Sequence, residues 1–209
     1  MGMAYLAPTD YVNYGLPAGT TGDWITAATA LINSFCRRPD LNVIQYQERL
    51  RIVGGTQTVR LSYLPLSPLA PATSPLVALE GRYGRPRRGE LPQVGMLEAA
   101  LAFSLPGEWT AIDPATVDFD ANTGELTLPW NLLGLPYNEV LVTYTAGLAV
   151  IGDDVMSACA QIVRNAQAQP ALNTSMTKMD TMQMKYFSSS LLDETVQALL
   201  RPYVANRLG

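Results

Sequence analysis

The sequence predicts an α+β fold, with N- and C-terminal helices flanking a sheet-rich middle that is an antiparallel sheet or small barrel. Three observations predict it. Apolar residues recur at helical spacing near both ends of the chain, short extended runs separated by turn residues fill residues 41–145, and 48% hydrophobic content over 209 residues is enough for a globular core.

Taken in order, Asp10-Tyr11-Val12-Asn13-Tyr14 reads as a capped helical turn stopped by Gly15, followed by a loop at 17–22. Over 23–36, Trp24, Ala28, Leu31, Ile32 and Phe35 fall on one helical face, with Arg37 and Arg38 suiting the dipole at its end and Pro39 as a stop. Residues 9–38 are thus an N-terminal helical segment. Extended runs are predicted at 43–50, 58–63, 76–83, 116–119, 125–128 and 140–144. Reversals are expected at Gly54-Gly55 and at Asn122-Thr123-Gly124. Pro65, Pro68, Pro71 and Pro75 make 64–75 an extended connection, because each removes a ladder donor. Residues 84–95 are an arginine-bearing loop, so that 64–110 reads as a Pro-rich and Arg-rich insertion in the middle region.

A long helix is predicted over 152–170, capped by Asp153, with Val155, Cys159, Ile162, Val163 and Ala166 on its apolar face until Pro170. Residues 171–189 are a linker arm in which Met182, Met184 and Tyr186 alternate with polar residues like a strand. Ser190 with Asp193 resembles a capping box for a last helix in 190–209, whose stripe is Leu192, Val196, Leu199, Leu200 and Tyr203, bent or ended by Pro202.

Composition excludes several chemistries. With no histidine there is no Ser-His-Asp or Cys-His catalysis and no His-ligated zinc; two Cys cannot build a zinc cluster. The two lysines, Lys178 and Lys185, follow Thr177 and Met184, so no Gly-Lys-Ser/Thr phosphate loop exists. Cys36 and Cys159 sit in apolar helical stretches and are expected as buried thiols. Fourteen basic against eighteen acidic residues argue against a broad nucleic-acid grip. No leader-like segment or membrane-length apolar run is visible, which points to a chain assembled in a cytosol. No catalytic, cofactor or metal residue is assigned.

The remaining constellations have competing explanations. Asp118 to Glu125 has calcium-loop composition, but position six is Thr123 and position twelve Pro129, so a polar hairpin tip fits better. Asp113, Asp118, Asp120, Asp153 and Asp154 could pair for acid–base work, with a metal on Asp118 and Asp120 as a hydrolase variant; turn and helix-cap roles fit better. Arg82, Arg85, Arg87 and Arg88 are the one basic concentration, a solvated loop or a contact with DNA or a partner. Met179, Met182, Met184 and Tyr186 are a partner arm or fill a gap in the chain's own core. The C-terminal stripe is core or a docking face.

In these residues and in their order, the chain resembles the head-to-tail connector, or adaptor, proteins of tailed bacteriophages, the ring beneath the portal. Asp10-Tyr11-Val12-Asn13-Tyr14 followed by the helix ending at Arg37 and Arg38 looks like the family's N-terminal helical pair. The string from Val140 to Gly147, with its Val-Thr-Tyr-x-x-Gly pattern, looks like its last strand, and Leu199-Leu200-Arg201-Pro202-Tyr203 like its C-terminal ending. Where the family has a proline at the start of its second long helix, this chain has Gly152-Asp153. The resemblance implies a non-enzymatic, ring-forming subunit without cofactor, located in the virion neck after assembly in the host cytoplasm, in rings of about twelve copies. It implies contacts with the portal through Leu192, Val196, Leu199, Leu200 and Tyr203, and with a head-closure (stopper) or tail-completion protein at the other end. Genomic double-stranded DNA would cross the lumen without specific binding, and no membrane is involved. The competing class is a sheet-rich phage surface or baseplate module that recognises protein or carbohydrate.

Overall fold

A computed structural model describes residues 4–52, 56–82, 108–130, 137–168, 176–179, 182–185 and 191–205. The single domain expected from length is built as two compact units: residues 1–41 with 150–205, and residues 42–149 with 206–209.

The first unit is helical. A 3₁₀ turn at Pro8–Asp10 runs into turns that close at Gly15, whose φ of +74° is open to glycine at little cost. Helix α1, Gly22–Cys36, ends in a Schellman closure: Arg37 takes φ 56°, its N–H bonds the Ser34 carbonyl, and the Arg38 N–H bonds the Asn33 carbonyl. Its buried positions are Ile25, Ala28, Thr29, Ile32 and Cys36. This corrects the expected stripe. Trp24 is exposed and Leu31 and Phe35 are half-buried, because apolar residues cover more than one side of α1 and tertiary contacts choose which side turns inward. Helix α2, Asp153–Ala168, buries Val155, Ala158, Cys159, Ala160, Ile162 and Val163. Helix α3, Glu194–Leu200, is capped by Asp193, whose Oδ1 accepts the Val196 N–H at 2.8 Å. Asp193 is therefore the cap itself and not the third residue of a box opened by Ser190, which lies outside the described residues. As Pro202 requires, the α-helix gives way to a 3₁₀ turn, Arg201–Tyr203.

The second unit holds a four-stranded sheet in the order β1-β7-β3-β4 and a three-stranded sheet in the order β2-β6-β5. The strands are β1 Ile44–Arg51, β2 Thr58–Arg60, β3 Leu76–Arg82, β4 Thr110–Ile112, β5 Asp118–Phe119, β6 Glu125–Thr127 and β7 Glu139–Ala146. All their pairings are antiparallel. Central β7 turns Val140, Val142, Tyr144 and Ala146 into the core, and the inner ladder of the other sheet buries Val59 and Leu126.

The hairpin at Asn122-Thr123-Gly124 forms as expected. Gly124 takes φ +69°, and Asp120 Oδ1 accepts the Asn122 N–H at 2.8 Å. The reversal expected at Gly54-Gly55 does not pair its flanks, since β1 pairs with β7 and β2 with β6 in different sheets; the glycines themselves lie outside the described residues. Thr116 closes a 3₁₀ turn, Pro114–Thr116, opened by Asp113, and does not belong to a strand. Strand β4 was not expected, being three residues long with no alternating pattern to read. The proline-rich connection holds no strand but is not extended throughout as expected: Leu66 bridges Ala146 and the Thr145 N–H bonds the Pro75 carbonyl at 2.8 Å, while the chain turns at Ala70-Pro71, where the Ala72 N–H bonds the Leu69 carbonyl at 2.9 Å.

A short antiparallel pair, β8 Met176–Met179 and β9 Met182–Lys185, matches the strand-like arm, with Met179 opposite Met182 and Thr177 opposite Met184.

Candidate functional site

Strand parity builds the most concentrated set of charges. In an antiparallel ladder, directly opposite residues share a face. Arg51 lies opposite Glu139, and Arg82 lies opposite Glu139 on the other side, so a carboxylate on the central strand is flanked by arginines from both neighbours. Arg49 Nη2 reaches Glu139 Oε2 at 2.7 Å, Arg82 donates from Nε at 2.9 Å and Nη2 at 2.8 Å, and Arg51 Nη2 stands 3.7 Å from Oε1. Trp109, at the entry to β4, lies under two of these cations: the guanidinium carbons of Arg82 and Arg49 are 4.4 and 5.8 Å from its ring centroid.

Burial by itself would raise the Glu139 carboxyl pKa. The hydrogen bonds and charges of Arg49 and Arg82 outweigh it and hold the group below its usual range. The Arg49 side chain is 55% exposed, whereas that of Arg82 is 16% exposed. Glu139 and Trp109 therefore fix a guanidinium that still faces water, an arrangement suited to gripping an oxyanion.

Sequence reasoning had singled out Arg82 but neither Glu139, Arg49, Arg51 nor Trp109. Arg49 and Arg51 share a strand, but the other members of the set lie 27 to 90 positions away along the chain, and no local pattern reveals that β7 runs between β1 and β3. Arg85, Arg87 and Arg88 lie outside the described residues, as does Tyr186.

The C-terminal stripe divides. Val196 and Leu200 are fully buried within the helical unit, while Leu192, Leu199 and Tyr203 are half-buried. This corrects their assignment to a single contact face. A side chain already packed against its own unit reaches a partner only if that packing opens. Leu200 closes on α1, its carbonyl meeting the Cys36 thiol, and the Ala205 N–H bonds the Cys36 carbonyl at 2.9 Å. The solvent side of α3 consists of Glu194, Thr195, Gln197 and Ala198, continued by Arg201 and Pro202.

Two tyrosine–aspartate bonds fasten both chain ends to the start of α2. Tyr14 donates to Asp153 at 2.7 Å, and Tyr203 donates to Asp154. The bond to Asp153 raises the Tyr14 pKa; burial and then the bond to Asp154 push Tyr203 up to about 12. Asp153 and Asp154 thus serve the helix end. Asp113 and Asp120 cap turns, and Asp118 is an exposed hairpin residue. Burial pushes the Cys36 thiol up to about 11 and Cys159 to about 12, which leaves neither a ready nucleophile.

Among the described residues no group of three metal-ligating side chains converges, and no helix is long and apolar enough to cross a membrane. No protein-family model matches the chain, and no curated protein matches it either.

Proposed function

We propose that this chain is a structural subunit of a phage virion neck, a head-tail connector that assembles as a ring between the portal and the head-closure or tail-completion proteins, with DNA passing through its channel. The observation that carries the reading is convergence. Of the strings that motivate the resemblance, three meet in one helical unit: the Tyr11 to Tyr14 turn, the α1 end at Arg37 and Arg38, and the Leu-Leu-x-Pro-Tyr ending, with Tyr14 and Tyr203 both bonded at the start of α2. The fourth string is β7, the longest-paired strand of the sheet unit, which leaves through Gly147 at φ +139° towards α2. A chain whose conspicuous described residues serve to close its helical unit and its sheet suits a subunit that works by contacts.

On this reading the portal meets the solvent side of α3 at Gln197, Ala198 and Arg201. The test is native mass measurement of the full chain mixed with the portal ring encoded beside it. About one subunit per portal subunit is expected, with Ala198→Arg reducing complex formation while melting like the wild type. A cut before α3 does not serve as the control, since removing Val196 and Leu200 opens the core of the helical unit.

The second reading is a surface or baseplate module that recognises protein or carbohydrate. It is favoured by that same burial of Val196 and Leu200, and by the exposed Leu69, Val77 and Trp130 of the sheet unit. Absence of any complex with an intact portal ring selects it, and glycan binding is then measured by quenching of tryptophan fluorescence that is lost in Trp130→Phe.

A further inference from the structure

We propose that two oppositely charged sheet faces of the second unit are the halves of a self-contact, so that the four-stranded face of one copy receives the three-stranded face of the next. Strand parity places Arg49, Arg51, Arg82, Glu80 and Glu139 on one face of the four-stranded sheet, three arginines against two glutamates. Asp118, Asp120, Glu125 and Arg60 share a face of the other sheet, three carboxylates against one arginine. These are the outer faces, because the alternate positions Val140, Val142, Val59 and Leu126 are buried.

The two faces differ in how their charges are satisfied. Arg49, Arg51 and Arg82 converge on Glu139, whereas Asp120 accepts backbone N–H groups of its own turn and Arg60 Nε is bonded to the Thr123 carbonyl. Asp118 and Glu125 are exposed, and the half-exposed Arg49 guanidinium is already oriented by Glu139 and Trp109. An oriented arginine on one face and the exposed carboxylates of Asp118 and Glu125 on the other, with faces of opposite net sign, are complementary surfaces on one chain. Nucleic acid fits the arginine face less well, since two glutamates lie among its cations and the chain as a whole carries a net charge of -4.

The two patches are unlike, so the contact is heterologous, and repetition closes a ring or extends a filament. The inference rests on the ring reading above and names the surfaces by which neighbours meet. Solvent-exposed pairs contribute little each, so the contact sets register and responds to salt.

The test is a charge swap in the full chain. Self-association is followed by sedimentation velocity at low and high salt, and assembly on the portal ring is scored in parallel. Arg49→Glu and the double variant Asp118→Lys/Glu125→Lys are each expected to weaken association about tenfold, since each brings like charges together. Their equimolar mixture is expected to regain wild-type association, because each variant then meets its complement on both sides. Arg49→Gln, which adds no charge beside Glu139, is expected to give a loss of about threefold without rescue, and the melting curves of all variants confirm folding.

Association unaffected by either variant, or a mixture as weak as its components, overturns the proposal. So does salt-sensitive binding of duplex DNA that is lost in Arg49→Glu while self-association is unchanged. If the wild type assembles only on the portal, the variants are scored there: normal rings from either variant alone overturn this contact and leave the ring reading standing. A chain that stays monomeric both alone and with the portal overturns both.

Discussion

In the helical unit polar groups sit at the ends of elements: Asp193 starts α3, Arg37 ends α1, and Tyr14 and Tyr203 bond the two aspartates that open α2. Its interior is mostly apolar, with Ile25, Ile32, Ile162 and Leu200 almost wholly enclosed, and it also buries Thr29 within α1 and Arg38 just past its end. The sheet unit also has an apolar interior, yet it carries a buried carboxylate in its central strand, held by arginines from both neighbouring strands. Helices need polar partners only where their backbone groups run out, at the termini. A sheet satisfies its backbone laterally, so its side-chain charges fall wherever strand parity places them and must find partners across the ladder. The helical unit should therefore fail by loss of packing, and the sheet unit by loss of charge pairing.

Leu200→Ala strikes the first kind of support and is expected to have the largest effect, about 3 kcal/mol in denaturant unfolding followed by the helical circular dichroism signal. Glu139→Gln strikes the second. It gathers three arginines without a counter-charge, and a loss of about 2 kcal/mol is expected, below the value for a fully buried pair because Arg49 reaches water. Tryptophan fluorescence of a background carrying Trp24→Phe and Trp130→Phe, which leaves Trp109 alone, reads this change. If Glu139→Gln proves neutral, charge pairing is not what holds the sheet unit.

Acid sharpens the contrast. The folded pKa of Glu139 lies below its unfolded value, so its contribution is present above the unfolded pKa of ~4.3 and is lost as pH falls through the folded value. Wild-type stability is expected to fall as the pH drops below the unfolded pKa of ~4.3, and Glu139→Gln to flatten that fall. Equal slopes in the two proteins would remove Glu139 as the source.

Smaller effects test the local geometry of each unit. Gly81→Ala sets a methyl 2.6 to 2.8 Å from the Tyr137 ring and is expected to cost about 1 to 2 kcal/mol. Asp193→Ala removes the α3 cap and the oxygen that accepts from the Asn165 amide on α2 at 3.1 Å, and is expected to cost about 1 to 2 kcal/mol, with Asp193→Asn, which keeps the capping oxygen, losing less.

What could be read from the sequence follows the same division. The α+β class, α1 and α2 and the β5–β6 hairpin were legible because each depends on neighbours a few residues away: helical periodicity and Gly124 at its turn; in the proline-rich connection the absence of a strand was legible, because prolines cannot donate, but not its turn at Ala70-Pro71. The inward side of α1 was misjudged by one position, since Trp24 and Ile25 each fit a helical stripe and only the surrounding helices separate them. The Gly54-Gly55 hairpin failed for a related reason. A glycine pair permits a reversal but does not name the partner strand, and β1 pairs instead with β7, some ninety residues away.

The charged site was the least legible. Arg82 stood out only as part of an arginine-rich string, and nothing near it announces Glu139, Arg49 or Trp109. The sequence by itself determined where helices and turns form, that the thiols are apolar residues, and which chemistries are closed to a chain without histidine. The tertiary structure alone decided that Val196 and Leu200 are core and that three arginines share one carboxylate. Burial and cross-strand pairing are properties of residues distant in the chain, and their energies exist only once β7 lies between β1 and β3 and α3 lies against α2.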